Sequence, residues 1–405
     1  MIERQVQADT GQQAADWHSG AKVPRSDQSH TAARSARLLS LDVTRGITVA
    51  FMILVNNNGD EHTYRALLHA RWNGWTPTDL VFPTFLFLMG ASIVFSFDAR
   101  LGRGVPRATL LTHTLRRSIV LFLLGLVVNG FPFFPWGTLR IYGVLQRIAI
   151  CFLCASLVYL WDRGATSKIA IVIFALGGYW FLMRWVPVPG FGVPGRDIPL
   201  LDRNANLVAY LDRHIFPGRL YEGVRDPEGL LSTLPALGTT LLGMLTGMWL
   251  GSKRSLGQKA GGMLAAGLAG VLMGELWNTW FPINKKLWTS SYVLFAAGWS
   301  LLLLALCYWA IEIRGWKRTW TYIWLVFGMN AITAYVFSEL LASALYAIKL
   351  RAGTATISLQ EAVFKKVFAG GYSPELASLA YAVCFVLICF LPVAVLYQKK
   401  IFIKV

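Results

Sequence analysis

Long apolar segments alternate with short polar ones along most of the chain. Crossing the hydrocarbon core of a bilayer as a helix takes about 20 apolar residues. The segments that reach this length are 38–57, 77–97, 114–133, 139–161, 167–186, 231–251, 258–280, 287–311, 320–347 and 374–398. The pattern therefore predicts an all-α polytopic membrane protein with about ten transmembrane helices.

The first 34 residues differ from this pattern. Residues 1–34 are rich in Gln, Ala, Ser and charged side chains, a composition typical of disordered segments. They hold no apolar core of the length that a cleavable signal peptide requires, so we expect no such peptide. We therefore expect a disordered cytoplasmic tail over 1–34 and a transmembrane domain over 35–405.

The basic residues indicate the orientation in the membrane. Clusters of them follow the second, sixth, eighth and tenth segments: Arg100, Arg103, Arg107, Arg116 and Arg117; Lys253, Arg254 and Lys259; Arg314, Lys317 and Arg318; Lys399, Lys400 and Lys404. With ten spans all of these lie on the side of the N terminus, and the positive-inside rule makes that side cytoplasmic. We expect both termini in the cytoplasm and the loop 187–230, whose charges balance, on the extracytoplasmic side.

Composition narrows the class of protein further. Hydrophobic residues make up 55% of the chain and charged residues 15%, well below the roughly 25% charge of soluble domains. The net charge of +17 does not form one basic stripe, so we expect no nucleic-acid partner. Cys151 and Cys154 form a C-x-x-C motif without a second pair or a nearby His, and we expect no bound metal.

Ionisable residues inside apolar segments are costly and therefore indicate functional sites. In the first segment Asp42 and Arg45 are three residues apart, so they share a helix face and can pair. Two explanations remain open for this pair: an internal ion pair that locks the helix to its neighbours, or a polar floor for a ligand that enters from the cytoplasm. Asn56 lies at the other end of the same segment.

His69 precedes the second apolar segment. Thr76 is a plausible N-cap with Pro77 at the first helical position, which puts Asp79 in the first turn. His69 then lies just outside the helix on the extracytoplasmic face. A single loop histidine is usually solvated, so spacing alone does not mark it as catalytic.

Further polar residues lie in or beside later segments. Arg140 and Arg147 are seven apart in the fourth, and Arg116 and Arg117 in the third are either phosphate ligands or topological charges. The remaining ones are Asp226, Glu228, Glu275, Asn278, Asn284, Lys285, Lys286, Asn330 and Glu339. The chain has no phosphate-binding P-loop, no G-x-S-x-G elbow and no H-E-x-x-H zinc motif.

Seven short blocks occur in a characteristic order. They are Ser40-Leu41-Asp42-x-x-Arg45-Gly46, Met52-Ile53-x-Val55-Asn56, His69-Ala70-x-Trp72-Asn73-Gly74, Asp79-Leu80-Val81-Phe82-Pro83-x-Phe85, Gly143-Val144-Leu145-Gln146-Arg147, Asp226-Pro227-Glu228-Gly229 and Pro282-Ile283-Asn284-Lys285-x-Leu287-Trp288-x-x-Ser291-Tyr292. Together they resemble the catalytic domain of heparan-alpha-glucosaminide N-acetyltransferase and its bacterial relatives, within the wider transmembrane acyltransferase group. The resemblance covers roughly residues 37–400.

The resemblance implies a reaction, partners and three active-site residues. In this family acetyl-CoA binds from the cytoplasm, and its acetyl group reaches a glucosamine amine across the membrane. The family's essential histidine matches His69, and its active-site Asn and Asp match Asn56 and Asp42. For this chain the resemblance implies acetyl-CoA as co-substrate, a small-molecule bacterial amino sugar as acceptor, and a homodimer in the bilayer of the bacterial inner membrane.

The expected roles of the polar residues follow. The CoA ligands are expected to be Arg45, Arg116, Arg117, Arg140, Gln146 and Arg147, because guanidinium groups bind phosphates through charge-assisted hydrogen bonds. The acceptor ligands are expected to be Trp72, Asn73, Asp79, Glu228, Asn284 and Lys285. His69 is either a general base or a nucleophile, and Asn56 would stabilise the oxyanion. An amino-sugar permease without acyl transfer explains the spans and buried charges equally well.

Overall fold

The computed structural model describes residues 38–317, 319–352, 355–370 and 373–403. The predicted tail 1–34 lies outside them. The α-helices are α1 (Leu39–Asn56), α2 (Val81–Leu101), α3 (Arg107–Gly130), α4 (Val144–Trp161), α5 (Ala165–Trp185), α6 (Leu207–Ile215), α7 (Thr233–Gly251), α8 (Leu256–Asn278), α9 (Ser290–Tyr308), α10 (Thr319–Met329), α11 (Ala331–Ala347), α12 (Leu359–Val367) and α13 (Pro374–Gln398). Strands β1 (Lys349–Ala352) and β2 (Ala355–Ser358) form one antiparallel hairpin.

The helices confirm an all-α polytopic membrane protein. Within the described residues nine helical segments are long and apolar enough to cross a bilayer, and α10 with α11 makes a tenth if that pair is one span. The predicted segment 320–347 is not one continuous helix, because α10 and α11 meet at a bend of 75°. Asn330 stands at this break with φ −122° and ψ 40°, outside the helical region.

Glycines let the central helices approach closely. A Cβ atom on Gly46 of α1 would lie 1.7 Å from the carbonyl oxygen of Trp324 in α10, and one on Gly328 would lie 2.0 Å from that of Asp42. Gly90 of α2 and Gly243 of α7 pack in the same way against backbone carbonyls. Helix contacts in a bilayer rely on such small residues, because apolar side chains gain nothing by leaving lipid for protein. Glycines therefore bring α1 into backbone contact with α10, and α2 into backbone contact with α7.

The long loop after α5 is ordered. It contains α6, and the Asp212 side chain of that helix accepts a hydrogen bond from the backbone N–H of Leu230 (3.2 Å). Asp212 is fully buried. Burial raises its pKa to about 6, the Leu230 N–H opposes the shift, and the nearby Asp226 adds to it. This carboxyl group holds the loop against the start of α7.

We predict that Asp212 makes stability depend on pH. Its folded pKa of about 6 exceeds the roughly 3.9 of an unfolded aspartate, so its contribution is complete below the unfolded value and is lost as pH rises through about 6. Asp212→Asn, a neutral isostere, should raise the melting temperature relative to wild type at pH 7.5 by on the order of a few degrees. At pH 4 the difference should shrink or reverse. A pH-independent difference, measured in detergent, would contradict the prediction.

Candidate active site

His69 and Asp79 form a hydrogen-bonded pair just before α2. Thr76 and Asp79 make a capping box around Pro77, as the sequence predicted for the N-cap. His69 Nδ1 lies 2.8 Å from Asp79 Oδ1, and the Asp79 side chain is 1% exposed while that of His69 is 45% exposed. The pair therefore has one buried partner and one that opens to the exterior of the bundle.

The neighbours of Asp79 determine where the proton on His69 sits. Asp79 Oδ2 accepts hydrogen bonds from the backbone N–H groups of Ala70 and Thr76, each at 3.0 Å, and from the Thr76 hydroxyl at 3.1 Å. A carboxylate with this set of donors acts as an acceptor, so the proton in the contact belongs to His69 Nδ1. The lone pair of the neutral imidazole is then on Nε2. This is the arrangement of a general base held by an aspartate.

A second loop brings Lys285 against the imidazole. The N–H of Gly74 donates to the carbonyl of Ile283 (2.8 Å), and Gly74 adopts φ +94°, which only glycine reaches without strain. Asn284 is fully buried, donates to the Asn73 side chain (3.1 Å) and accepts from the N–H of Leu287 (3.0 Å). Asn284 thus joins the loop of Gly74 to the loop of Lys285. The sequence analysis expected Asn284 to bind the sugar acceptor, but its side chain is buried and does not face solvent.

Lys285 carries the nearest positive charge to His69. Its Nζ lies 3.0 Å from His69 Nδ1, 3.4 Å from Nε2 and 3.6 Å from Asp79 Oδ1. Burial lowers the pKa of Lys285 below that of a free lysine, and the Asp79 carboxylate opposes the shift. The Lys285 ammonium and the Asp79 carboxylate therefore balance each other's charge beside the imidazole.

Asn56 lies at the same end of the bundle and has a fixed orientation. Its Nδ2 donates to Glu339 Oε1 of α11 (3.3 Å). The amide nitrogen therefore faces Glu339, and one N–H of Nδ2 remains for another acceptor. Asn56 is exposed. Glu339, which the sequence singled out without a role, is thus the orienting partner of Asn56.

Arg140 does not lie where CoA phosphates were expected. It donates to both carboxylate oxygens of Asp226 (2.8 and 2.6 Å) and to Glu228 (2.5 Å), while the Tyr221 ring covers its guanidinium at 4.6 Å. These two carboxylates accept from its Nε and Nη2, and they raise the pKa of Arg140 against the opposing effect of burial. The predicted fourth span 139–161 also begins later, at Val144, so Arg140 is outside the helix.

Gln146 and Arg147 are also packed in the interior. Arg147 is 1% exposed, donates to the carbonyl of Gly229 and to the Ser232 hydroxyl, and lies over the Trp288 ring at 4.9 Å. Gln146 is 3% exposed and packs so closely on Gly125 of α3 that an added Cβ would lie 2.4 Å from its Oε1. Neither lines the cavity described next, so their expected contact with the CoA is not supported by this structure.

Trp72, also expected to bind the acceptor, is held by protein groups. Its indole N–H donates to the carbonyl of Leu201 (2.8 Å). The guanidinium groups of Arg203 and Arg225 lie over its ring at 5.6 and 4.7 Å. Trp72 therefore pins the long loop to the His69 loop, whereas Asn73 beside it is exposed.

A cavity of about 580 Å³ opens near the first turns of α1, at the far end from His69. Arg45, Arg116 and Arg117, which the sequence analysis expected to bind CoA, line it together with Arg100 and His113. Arg45 pairs with Asp42 (3.0 Å) and donates to the Gly328 carbonyl (3.3 Å) and the Ser92 hydroxyl (2.5 Å).

Asp42 thus supports Arg45 and lies far from His69. Asn56 is fourteen residues further along α1, or about 21 Å at 1.5 Å per residue. Of the three residues that the resemblance marks as active-site residues, Asp42 and Asn56 therefore lie at opposite ends of α1, and His69 lies in the loop that follows it. Through Ser92 and Gly328, Arg45 also joins α1 to α2 and α10. The Asp42–Arg45 pair therefore both holds α1 against its neighbours and forms part of a polar cavity wall.

The cavity does not extend to the His69–Asp79 pair, although the two lie close together along α2. The deepest α2 residue that lines the cavity is Phe85. It follows Asp79 by six residues, or about 9 Å of helical rise. His69 and Asn56 are not part of the described lining. The aromatic side chains of Phe82 and Trp288 pack together in this interval, with ring centres 5.3 Å apart.

Comparison with known proteins shows the family. Residues 37–270 match the family described as heparan-alpha-glucosaminide N-acetyltransferase, catalytic.

The chain belongs to this family.

The resemblance found in the motifs is thereby confirmed. A human protein named heparan-alpha-glucosaminide N-acetyltransferase is 29% identical over 378 residues, covering 81% of this chain and 54% of that protein. A mouse protein of the same name is 28% identical over 356 residues, covering 75% and 54%. The chain spans about half the length of these curated relatives.

The sequence analysis named most of the polar residues at this site, but it did not predict which of them contact each other. Asp79 and Lys285 were expected to bind the acceptor, but both contact His69 instead. The separation of Lys285 from His69 by 216 residues gives no local signal of their contact. The capping position of Asp79 was the one clue to its burial, because a capping carboxylate turns back toward the preceding loop.

We predict that Asp79→Asn moves the proton on His69. The Asn oxygen would stay with the N–H groups of Ala70 and Thr76, so its NH₂ would face Nδ1 and force the proton onto Nε2. Nitrogen NMR shifts of labelled protein at alkaline pH should show the Nδ1–H tautomer in wild type and Nε2–H in the variant. The matched control is Asp60→Asn, because Asp60 pairs with the exposed His62 at 2.9 Å. An unchanged His69 tautomer in Asp79→Asn would refute the assignment.

Proposed function

We propose that this protein is a transmembrane N-acetyltransferase that moves an acetyl group from acetyl-CoA to the amine of a glucosamine-type sugar. The observation that supports this most is the His69–Asp79 pair with its imidazole partly open to solvent, at the end of α1 opposite an arginine-lined cavity. Membership of the family and the names of its curated relatives support the same reaction class.

The donor would bind in the cavity near Arg45. We propose that this end of the bundle is cytoplasmic, in the inner membrane of a bacterium, in agreement with the basic segments between spans. Arg116 and Arg117 have no ion-pair partner among the described residues, so their guanidinium groups are available to CoA phosphates. Apolar side chains such as Phe85, Met89 and Ile148 line the deeper part and suit a pantetheine arm.

The acetyl group would be transferred beside His69. In a ternary complex the acceptor nitrogen attacks the thioester carbonyl carbon and loses a proton to Nε2 of His69, which acts as general base. The C–N bond forms, the oxyanion accepts a hydrogen bond from Asn56 Nδ2, and its collapse breaks the C–S bond. The proton passes to the departing thiolate, so the products are CoA and the N-acetylated sugar. If His69 were the nucleophile, an acetyl-imidazole would form first and the kinetics would be ping-pong.

The acceptor would bind in the polar surroundings of His69. Glu228 and Glu339 offer carboxylates, and Asn73 and Asn56 offer exposed amides. Such groups suit the hydroxyls and the amine of a sugar. For the thioester to reach this place, the pantetheine arm must pass Phe85 and the Phe82–Trp288 contact. We propose that these side chains move when the donor binds.

A permease for an amino sugar is the alternative, and one observation favours it. Transporters often carry broken helices at their substrate sites, and α10 and α11 form such a pair with a bend of 75°. Uptake of labelled sugar into sealed vesicles that contain no acetyl-CoA would support this alternative. Transfer of labelled acetyl from acetyl-CoA to glucosamine by the purified protein would support the enzyme.

We predict that His69→Ala lowers kcat by about 10²–10⁴-fold in that transfer assay, because the general base is lost. Asp79→Asn should act in the same direction, since it blocks Nε2. His62→Ala is the matched control, as His62 also pairs with an aspartate but lies at the surface. Activity that survives in His69→Ala, or falls equally in His62→Ala, would remove His69 from the mechanism.

We predict that Arg117→Gln weakens donor binding. Loss of one charge-assisted contact with phosphate should raise the KM for acetyl-CoA by about 10-fold or more and leave the KM for glucosamine unchanged. Lys253→Gln is the control, because Lys253 is exposed and does not line the described cavity. Equal changes in both variants would indicate a general charge effect rather than a phosphate site.

A further inference from the structure

The last described residues fold back on the bundle after α13 ends at Gln398. Lys400 adopts φ +57°, which reverses the chain, and the N–H of Ile401 donates to the carbonyl of Leu396 (2.9 Å). The Phe402 ring then packs edge-on against Tyr397, with ring centres 6.1 Å apart. We call residues 401–403 the C-terminal strap.

Asn330 holds the strap by both ends of its amide. Its Nδ2 donates to the carbonyl of Ile401 (3.3 Å), and its Oδ1 accepts from the N–H of Ile403 (3.1 Å). Asn330 is 1% exposed. A buried amide that pairs with the N–H and C=O of an extended segment replaces the neighbouring strand of a sheet. The helix break between α10 and α11 therefore serves as the attachment point for the strap.

The strap contributes to the arginine-lined cavity. Ile403 lines it together with Arg45 and Arg117, and so do Met329 and Ile332 on the two sides of the break. Ile401 is part of the strap but does not line the described cavity. A strap that only covered the break would have no reason to direct an apolar side chain into this space. Ile403 is still 45% exposed, so a ligand in the cavity can bury it further.

We propose that the C-terminal strap is a wall of the donor site, with Ile403 as a contact for CoA and Asn330 as the positioning residue. This inference rests on the proposed function. Ile403 gives the adenine or the pantetheine an apolar surface beside the arginines that bind phosphate. Asn330 acts through the strap and does not touch the donor.

The test is binding of coenzyme A to purified full-length protein by calorimetry. Ile403→Ala should weaken binding by on the order of 10-fold, because the apolar contact is lost. Ile401→Ala is the matched control: the residue is the same, it is 46% exposed against 45% for Ile403, and its binding should equal that of wild type. Asn330→Ala should weaken binding as Ile403→Ala does, and Asn330→Asp, which keeps the acceptor for the Ile403 N–H, should weaken it less.

Steady-state kinetics distinguish an effect on donor binding from a general loss of structure. In Ile403→Ala and Asn330→Ala the KM for acetyl-CoA should rise, while kcat and the KM for glucosamine stay unchanged. Wild-type affinity for coenzyme A in Ile403→Ala, or equal losses in Ile401→Ala, would overturn the inference while leaving the proposed function intact. If the wild-type protein binds no coenzyme A, the proposed function itself fails, and the inference fails with it.

Discussion

The hydrogen bond between His69 and the buried Asp79 is the interaction on which the proposed chemistry depends. Asp79 keeps its charge in a buried position because three other donors from the same loop also point at it. Those donors leave it no proton to share, so the imidazole has to donate from Nδ1 and present Nε2. A capping arrangement that begins α2 thereby also sets the protonation pattern of the candidate base.

At the end of the bundle that holds His69, charged side chains are neutralised by ion pairs, and these pairs divide the polar residues into roles. Arg140 is neutralised by Asp226 and Glu228, and Lys285 by Asp79. Nearer to solvent, His69 presents a lone pair at Nε2, and Asn56 keeps one N–H that it does not donate to Glu339. An arginine whose donors are already satisfied has little left for a ligand, which is why Arg140 belongs to the scaffold of the site.

The length of α1 separates the two proposed sites. At one end Asp42 holds Arg45 in the wall of a cavity, and at the other Asn56 lies beside Glu339. A donor with a long flexible arm suits this layout, because charged phosphates stay among arginines while the reactive end travels through an apolar interior. The break between α10 and α11 lies beside the same cavity, where Asn330 replaces the missing helical contacts with contacts to the chain terminus.

The sequence by itself determined the features that depend on neighbouring residues. Hydrophobic length predicted the spans, Thr76 and Pro77 predicted the cap, and the three-residue spacing predicted the pair between Asp42 and Arg45. Tertiary structure decided which distant groups meet: Lys285 with His69, Glu339 with Asn56, and Asn330 with the strap. Helical periodicity is a local property, whereas these contacts depend on how whole helices and loops pack. That is also why the roles expected of Arg140, Gln146 and Arg147 could not be predicted from their spacing.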